Sequence, residues 1–196
     1  MRVISGKYRR HRLETPTGVG TRPIIDRVKA SLFDWLGARL AMPGQLPPVP
    51  VCDLFSGAGS QGIEALSRGA TYCAFVETDR RALACLRDNL SRIGLLESST
   101  VVNRPAESVT IRPPDDRGFG LVFLDPPYRL SEEVSDESIM GRVTARLGLS
   151  IPVEAETLVL WRHADRCILP KTLPGGWQPI ERRTWGTMAV TMLSRE

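Results

Sequence analysis

The chain has 196 residues, 42% of them hydrophobic and 24% charged, with a formal net charge of +4. That length can bury one sizeable core, and the composition is that of an ordinary globular domain, which excludes disordered and fibrous classes. No apolar run approaches the roughly 20 residues of a membrane span, and the N-terminus lacks the apolar core of a signal peptide, so a cytoplasmic protein is expected.

The charge is unevenly placed. Residues 1–29 hold eight Lys/Arg and two acids, whereas the rest of the chain is slightly acidic. Arg2, Lys7, Arg9, Arg10, Arg12, Arg22 and Arg27 therefore form a basic N-terminal arm. Like charges crowded together repel unless a polyanion neutralises them, and nucleic acid is the expected partner; a merely solvated arm is the alternative. Residues 1–13 read as a short hairpin or extended arm, and 15–20 as a loop. Pro23 can open a helix on which Val28, Leu32, Trp35 and Leu36 share a face. Four prolines and a glycine in 42–50 make a connector, dividing a basic arm (1–41) from the main domain (51–196).

From Val51 the pattern alternates. Strands are predicted over 51–55, 72–77, 100–103, 121–124 and 157–161. Helices are predicted over 60–68, then from a cap at Asp79 to Gly94 with Leu83, Leu86, Leu90 and Ile93 inward, and over 131–147. Segments 178–185 and 187–193 read as an antiparallel edge hairpin turning near Gly186. Strand alternating with helix gives an α/β fold, a doubly wound and mostly parallel sheet. The four cysteines (Cys52, Cys73, Cys85 and Cys167) contain no C-x-x-C pair, and His11 and His163 are the only histidines. Buried thiols are expected rather than disulfides, and no metal site.

Two motifs carry chemistry. In Asp53-Leu54-Phe55-Ser56-Gly57-Ala58-Gly59-Ser60-Gln61-Gly62, a glycine-rich turn follows the first strand and opens the first helix. Glu77 ends the second strand, where an acid takes ribose hydroxyls in nucleotide-binding α/β folds. A dinucleotide would set its pyrophosphate on the helix N-terminus, where Asp53 would repel it. S-adenosylmethionine carries an ammonium and a sulfonium, which favour nearby carboxylates, so it fits better than NAD. Asp53, Phe55, Ser56, Gly57, Gly59, Glu77 and Thr78 are the candidate cofactor residues, with Ala106 and Glu107 placed to line the adenine side.

The second motif is Leu121-Val122-Phe123-Leu124-Asp125-Pro126-Pro127-Tyr128. A continuously apolar strand delivers Asp125 to the carboxyl edge of the sheet, where ligands bind. The prolines stiffen the turn that follows. A carboxylate, carbonyl oxygens and a ring suit a flat substrate with an exocyclic amine, so Asp125, Pro126, Pro127 and Tyr128 are the candidate catalytic residues. A plain turn after a strand is the bland alternative. The fourth strand should lie beside the first, facing both motifs into one site.

Asp-Pro-Pro-Tyr resembles the signature of amino-group methyltransferases. Together with Arg2-Val3-Ile4-Ser5-Gly6, Arg22-Pro23, Asp26-Arg27-Val28, Leu32 to Leu36 and the run from Asp53 to Gly69, the chain is similar to bacterial small-subunit ribosomal RNA guanine-N2 methyltransferases of the RsmD type. Ile24 and Ile25 stand where that family usually has Thr or Ser, so the helix start is capped differently. The resemblance implies a Rossmann-like class I methyltransferase fold with a seven-stranded sheet and a small N-terminal basic extension. It further implies methyl transfer from S-adenosylmethionine to guanine N2 in 16S RNA, within a partly assembled 30S subunit. Three rivals share features with this reading. An adenine-N6 methyltransferase would use the same motif, an NAD-dependent oxidoreductase the same glycine turn, and a non-enzymatic RNA-binding module the same arm.

Overall fold

The computed structural model describes residues 1–16, 25–115 and 117–195. Arg22, Pro23 and Ile24, and most of the loop expected over 15–20, lie outside the described residues.

Seven strands form one sheet in the order β3-β2-β1-β4-β5-β7-β6. They are β1 Pro50–Leu54, β2 Tyr72–Glu77, β3 Ser99–Asn103, β4 Phe119–Leu124, β5 Val153–Ala164, β6 Gln178–Trp185 and β7 Met188–Ser194. The first five pair in parallel, and β7 runs antiparallel between β5 and β6. Strand order reverses between β1 and β4, which pair from Val51↔Leu121 to Leu54↔Leu124. The crevice at that switch point lies at the strands' carboxyl ends, the edge where open α/β sheets bind ligands.

Alternation along each strand divides the core into two layers. Val51, Cys73, Phe75, Leu121, Phe123, Leu160 and Val190 face one side, with α1 (Asp26–Arg39), α2 (Ser60–Ser67) and α3 (Arg80–Ile93). Cys52, Leu54, Ala74, Val122, Leu124, Val159 and Trp161 face the other, with α4 (Ile139–Arg146) and Trp177. Asp79 caps α3 by accepting from Arg81 and Ala82 N–H, and Gly94 ends it in the left-handed conformation (φ 75°). Ile25 stands at the N-cap of α1 and supplies no side-chain hydrogen bond, in keeping with the altered residues there. No helix among the described residues is long and apolar enough to cross a membrane.

The arm is built into the first layer. Val3 and Leu13 are buried there, and the hairpin closes through Val3 N–H to His11 O and Leu13 N–H to Met1 O. Helix α1 lies across the sheet, with Phe33 against Phe123 (5.7 Å between ring centroids) and Trp35 against Trp185 (6.4 Å).

Two expected elements differ. The helix expected over 131–147 begins only at Ile139. Tyr128–Leu130 forms one 3-10 turn, and the chain then turns until Ser138, whose Oγ accepts from Gly141 N–H. A Ser135 carbonyl that accepts from both the N–H and the hydroxyl of Ser138 closes a turn where the apolar spacing alone would continue a helix. The strand expected over 157–161 runs from Val153 to Ala164. Its added C-terminal part contains Arg162 and His163, polar residues that are nonetheless buried, with partners at Asp125, just after β4, and at Thr191 on β7.

Candidate active site

The turn after β1 is shaped by its backbone. Phe55 sits at φ 62°, a left-handed conformation costly for a bulky side chain. Gly57 follows at φ 55°, with open space on the side where a side chain would stand. Gly59 caps α2 at φ 84°, where an added Cβ would come within 2.4 Å of Leu86. Across the turn, Glu77 Oε2 accepts from Gly57 N–H at 2.8 Å, and its Oε1 accepts from the N–H groups of Thr78 and Asp79.

Asp53 does not reach the cavity. Its side chain turns under the loop, 1% exposed, and accepts from Gly62 N–H in the first turn of α2 at 2.9 Å. Burial pushes its pKa up to about 8 against the pull of that N–H, so the carboxyl is largely protonated at neutral pH. A protonated Asp53 would not repel a pyrophosphate; what opposes one here is occupancy of the donors. Two N–H groups that could cradle a pyrophosphate, those of Gly57 and Gly62, already serve the protein's own carboxyl groups.

Asp125 follows β4 directly, and its N–H donates to Leu54 O, carrying the β1–β4 pairing one residue further. Its side chain is 18% exposed. Oδ2 accepts from Gln61 Nε2 at 3.0 Å, and Oδ1 accepts from Arg162 Nε. Burial raises the Asp125 pKa, opposed by the Arg162 charge and by hydrogen bonds from Arg162 and Gln61.

Both motifs open into a single cavity of about 690 Å³. One side is formed by Phe55, Ser56, Gly57, Glu77 and Thr78, and the other by Asp125, Pro127, Tyr128, Arg129, Leu130 and Arg162. Ser60, Gln61, Asp79 and Ala82 also line it, as do Met1, Thr15 and Pro16 of the arm. Of the residues expected here, Gly59 and Pro126 shape the turns without lining this cavity. Ala106 is buried in the α4-side layer, with Glu107 beside it in the same turn, and neither is on this cavity's wall. Gln61, Asp79, Arg129 and Arg162 were not expected. Gln61 lay in plain view inside the glycine motif, and Arg162 was signalled only by a polar pair breaking off an apolar run.

On the arm, Arg2, Lys7, Arg9, Arg10, Arg12 and Arg27 are exposed. Arg2 pairs with Asp26 at 3.0 Å. Lys29 turns inward, fully buried, 3.4 Å from Glu64.

The fit of a methyl donor rests on this geometry. A glycine open to the cavity permits close approach of a ligand to the backbone. Carboxylates at Glu77 and Asp79 suit hydroxyl and ammonium donors, and the apolar surfaces of Phe55 and Ala82 suit a flat ring.

A family model described as conserved hypothetical protein 95 matches residues 1–194. The chain is 30% identical over 199 residues to the Escherichia coli K12 protein named ribosomal RNA small subunit methyltransferase D, covering all of this chain and 90% of that one. The solved structure of a hypothetical protein from Thermus thermophilus superposes with a TM-score of 0.72 at 28% identity, covering 100% of this chain and 99% of that one. A glycopeptide N-methyltransferase, MtfA, solved with S-adenosylmethionine, shares the fold at a TM-score of 0.62 and 14% identity, covering 93% of this chain and all of that one. With a class I methyltransferase fold and a match along nearly its whole length, the chain belongs to the conserved hypothetical protein 95 family, that of the RsmD-type small-subunit ribosomal RNA methyltransferases.

Proposed function

We propose that the protein transfers a methyl group from S-adenosylmethionine to the exocyclic N2 of a guanine in 16S ribosomal RNA. One observation carries the reading: the glycine turn of β1 and the Asp125 to Tyr128 turn of β4 line the same cavity at the sheet's switch point. Glu77, with the turn from Phe55 to Gly57, would hold the cofactor, which when bound supplies an electrophilic methyl on a sulfonium.

The remaining work falls to the chain's own residues. An aryl amine is a poor nucleophile because its lone pair is delocalised into the ring. Asp125 accepts a hydrogen bond from that amine, orients its lone pair, and offsets the positive charge that develops on nitrogen. The proton shed by nitrogen leaves through the same carboxylate. Tyr128 gives the extruded base a stacking surface, worth about 1–3 kcal/mol. Residues 1–41, through the exposed Lys7, Arg9, Arg10, Arg12 and Arg27 together with Arg2 and Arg22, engage the phosphate backbone, while 51–196 perform the chemistry. The size of this basic surface fits a structured polyanion such as a partly assembled 30S subunit.

Two measurements test the proposal. Small-subunit RNA from cells lacking the protein should lose one methylguanosine by mass spectrometry; loss of a methyladenosine would redirect the reading to adenine N6, which the motif would serve equally. Asp125→Ala should abolish labelled methyl transfer to RNA while leaving S-adenosylmethionine binding within a few fold by calorimetry. Near-normal turnover by that variant, or transfer to DNA in preference to RNA, would refute the assignment.

A further inference from the structure

Register alone brings Arg162 to the site. Leu124 pairs with Trp161 in the parallel ladder, so the next residue on each strand, Asp125 and Arg162, emerge side by side at the carboxyl edge. The guanidinium then touches two members of the same motif. Its Nε donates to Asp125 Oδ1, and its central carbon lies 5.6 Å from the centroid of the Tyr128 ring. The side chain is 10% exposed, supported behind by Met188, whose sulfur is 3.8 Å from Nη1. Gln61, from α2, holds the other carboxylate oxygen.

We propose that Arg162 is a positioning residue for methyl transfer, locking the Asp125 carboxylate and the Tyr128 ring in the one relative arrangement that receives both the amine and the plane of a base. The proposal rests on the methyltransferase reading above. The physical case is that the two groups sit on a short turn whose stiffness comes from two prolines, which restrict the backbone but not the side chains. A planar guanidinium hydrogen-bonds a carboxylate in its plane while presenting a face or edge to an aromatic ring, and an ammonium cannot do both. The amine also needs an ionised acceptor. Burial first, and then the Glu77 charge on β2, disfavour ionisation of Asp125, while Asp53 on β1 is itself held protonated and the Gln61 amide brings no charge. The positive charge facing Asp125 from β5 is that of Arg162, and it holds the carboxylate in its accepting form.

The test is the pH profile of kcat/KM for labelled methyl transfer to small-subunit RNA by the full chain, in Arg162→Met and Arg162→Lys. In Arg162→Met the acidic limb should move up by about one pH unit or more, because the acceptor now ionises later. In Arg162→Lys the charge is retained, so the limb should stay near its original position while the plateau value of kcat/KM falls at least tenfold. Thermal denaturation of each variant identifies the folded ones, and either variant alone decides. An unmoved limb in Arg162→Met, or a wild-type plateau in Arg162→Lys, would overturn the proposal. Asp125→Ala run alongside separates the two levels: activity retained there sinks the methyl-transfer reading itself, whereas activity lost there with an unmoved limb in Arg162→Met sinks only the role of Arg162.

Discussion

Glu64 joins the basic arm to the helix that begins at the glycine turn, and its removal has a calculable cost. Oε2 accepts from Ile4 N–H at 2.8 Å and faces Lys29 Nζ at 3.4 Å, while Oε1 accepts from Ser5 N–H at 3.0 Å and from Arg68 Nε at 2.8 Å. The Lys29 and Glu64 side chains are both 0% exposed. In Glu64→Ala the hydrogen-bond partners left to the Lys29 ammonium among the described residues are neutral, Arg2 O and Ser60 Oγ, with the Asp26 charge a weaker attraction. Removing one member of a buried ion pair costs about 3–5 kcal/mol. Burial already lowers the Lys29 pKa, so partial neutralisation holds the loss within that range. The part-buried Ile4 and Ser5 N–H groups also lose their acceptor, which sets the loss towards the upper end of that range. A loss of about 3–5 kcal/mol is a large share of the roughly 5–15 kcal/mol that keeps a domain folded. Urea denaturation at pH 7 measures it, and limited proteolysis reports whether the arm is released. Glu64→Gln, which keeps the acceptor for one arm N–H but removes the charge, should fall between wild type and Glu64→Ala. A loss below about 1 kcal/mol for Glu64→Ala, with the arm still protected, would refute the idea that this carboxylate anchors the arm.

Asp53 predicts a pH dependence of stability. Its folded pKa of about 8 lies above its ordinary value, so the unfolded chain ionises more readily. Its contribution is full below about pH 4 and is lost as pH rises towards 8, with each pH unit in between worth about 1.4 kcal/mol. Asp53→Asn keeps an acceptor for Gly62 N–H and does not titrate, so its urea midpoint should gain on wild type steadily from pH 5 to 8.5. Parallel curves for the two proteins would show that Asp53 is not held protonated. On the arm, charge reversal at Arg9 and Arg10, both exposed, should weaken RNA binding at low salt and reduce the slope of log affinity against log salt by about one to two. An unchanged slope would mean that the arm does not contact phosphate.

What the sequence by itself determined was local in origin. An apolar run broken only by Asp53 at 51–55 and a continuous one at 121–124 mark strands covered on both faces, and glycines at 57 and 59 mark a turn that only a few backbones can make. Asp79 and Gly94 bound a helix by hydrogen bonds that reach no further than three or four residues. Each of these depends on neighbours in the chain, and so each is legible there. The two motifs could also be ordered, because parallel strands in alternation with helices leave few topologies.

Only the tertiary structure decided which way the polar side chains point. Asp53, at the end of the glycine motif's strand, turns beneath the loop because α2 offers it Gly62 N–H. Lys29, counted with the basic arm, points into the core because Glu64 waits there. Arg162 meets Asp125 across 37 residues of sequence because strand register sets them side by side. In each case the partner comes from another element, and a buried polar side chain is stable only where that partner arrives. Register and packing set those meetings, and they are properties of the folded sheet rather than of any one stretch of chain.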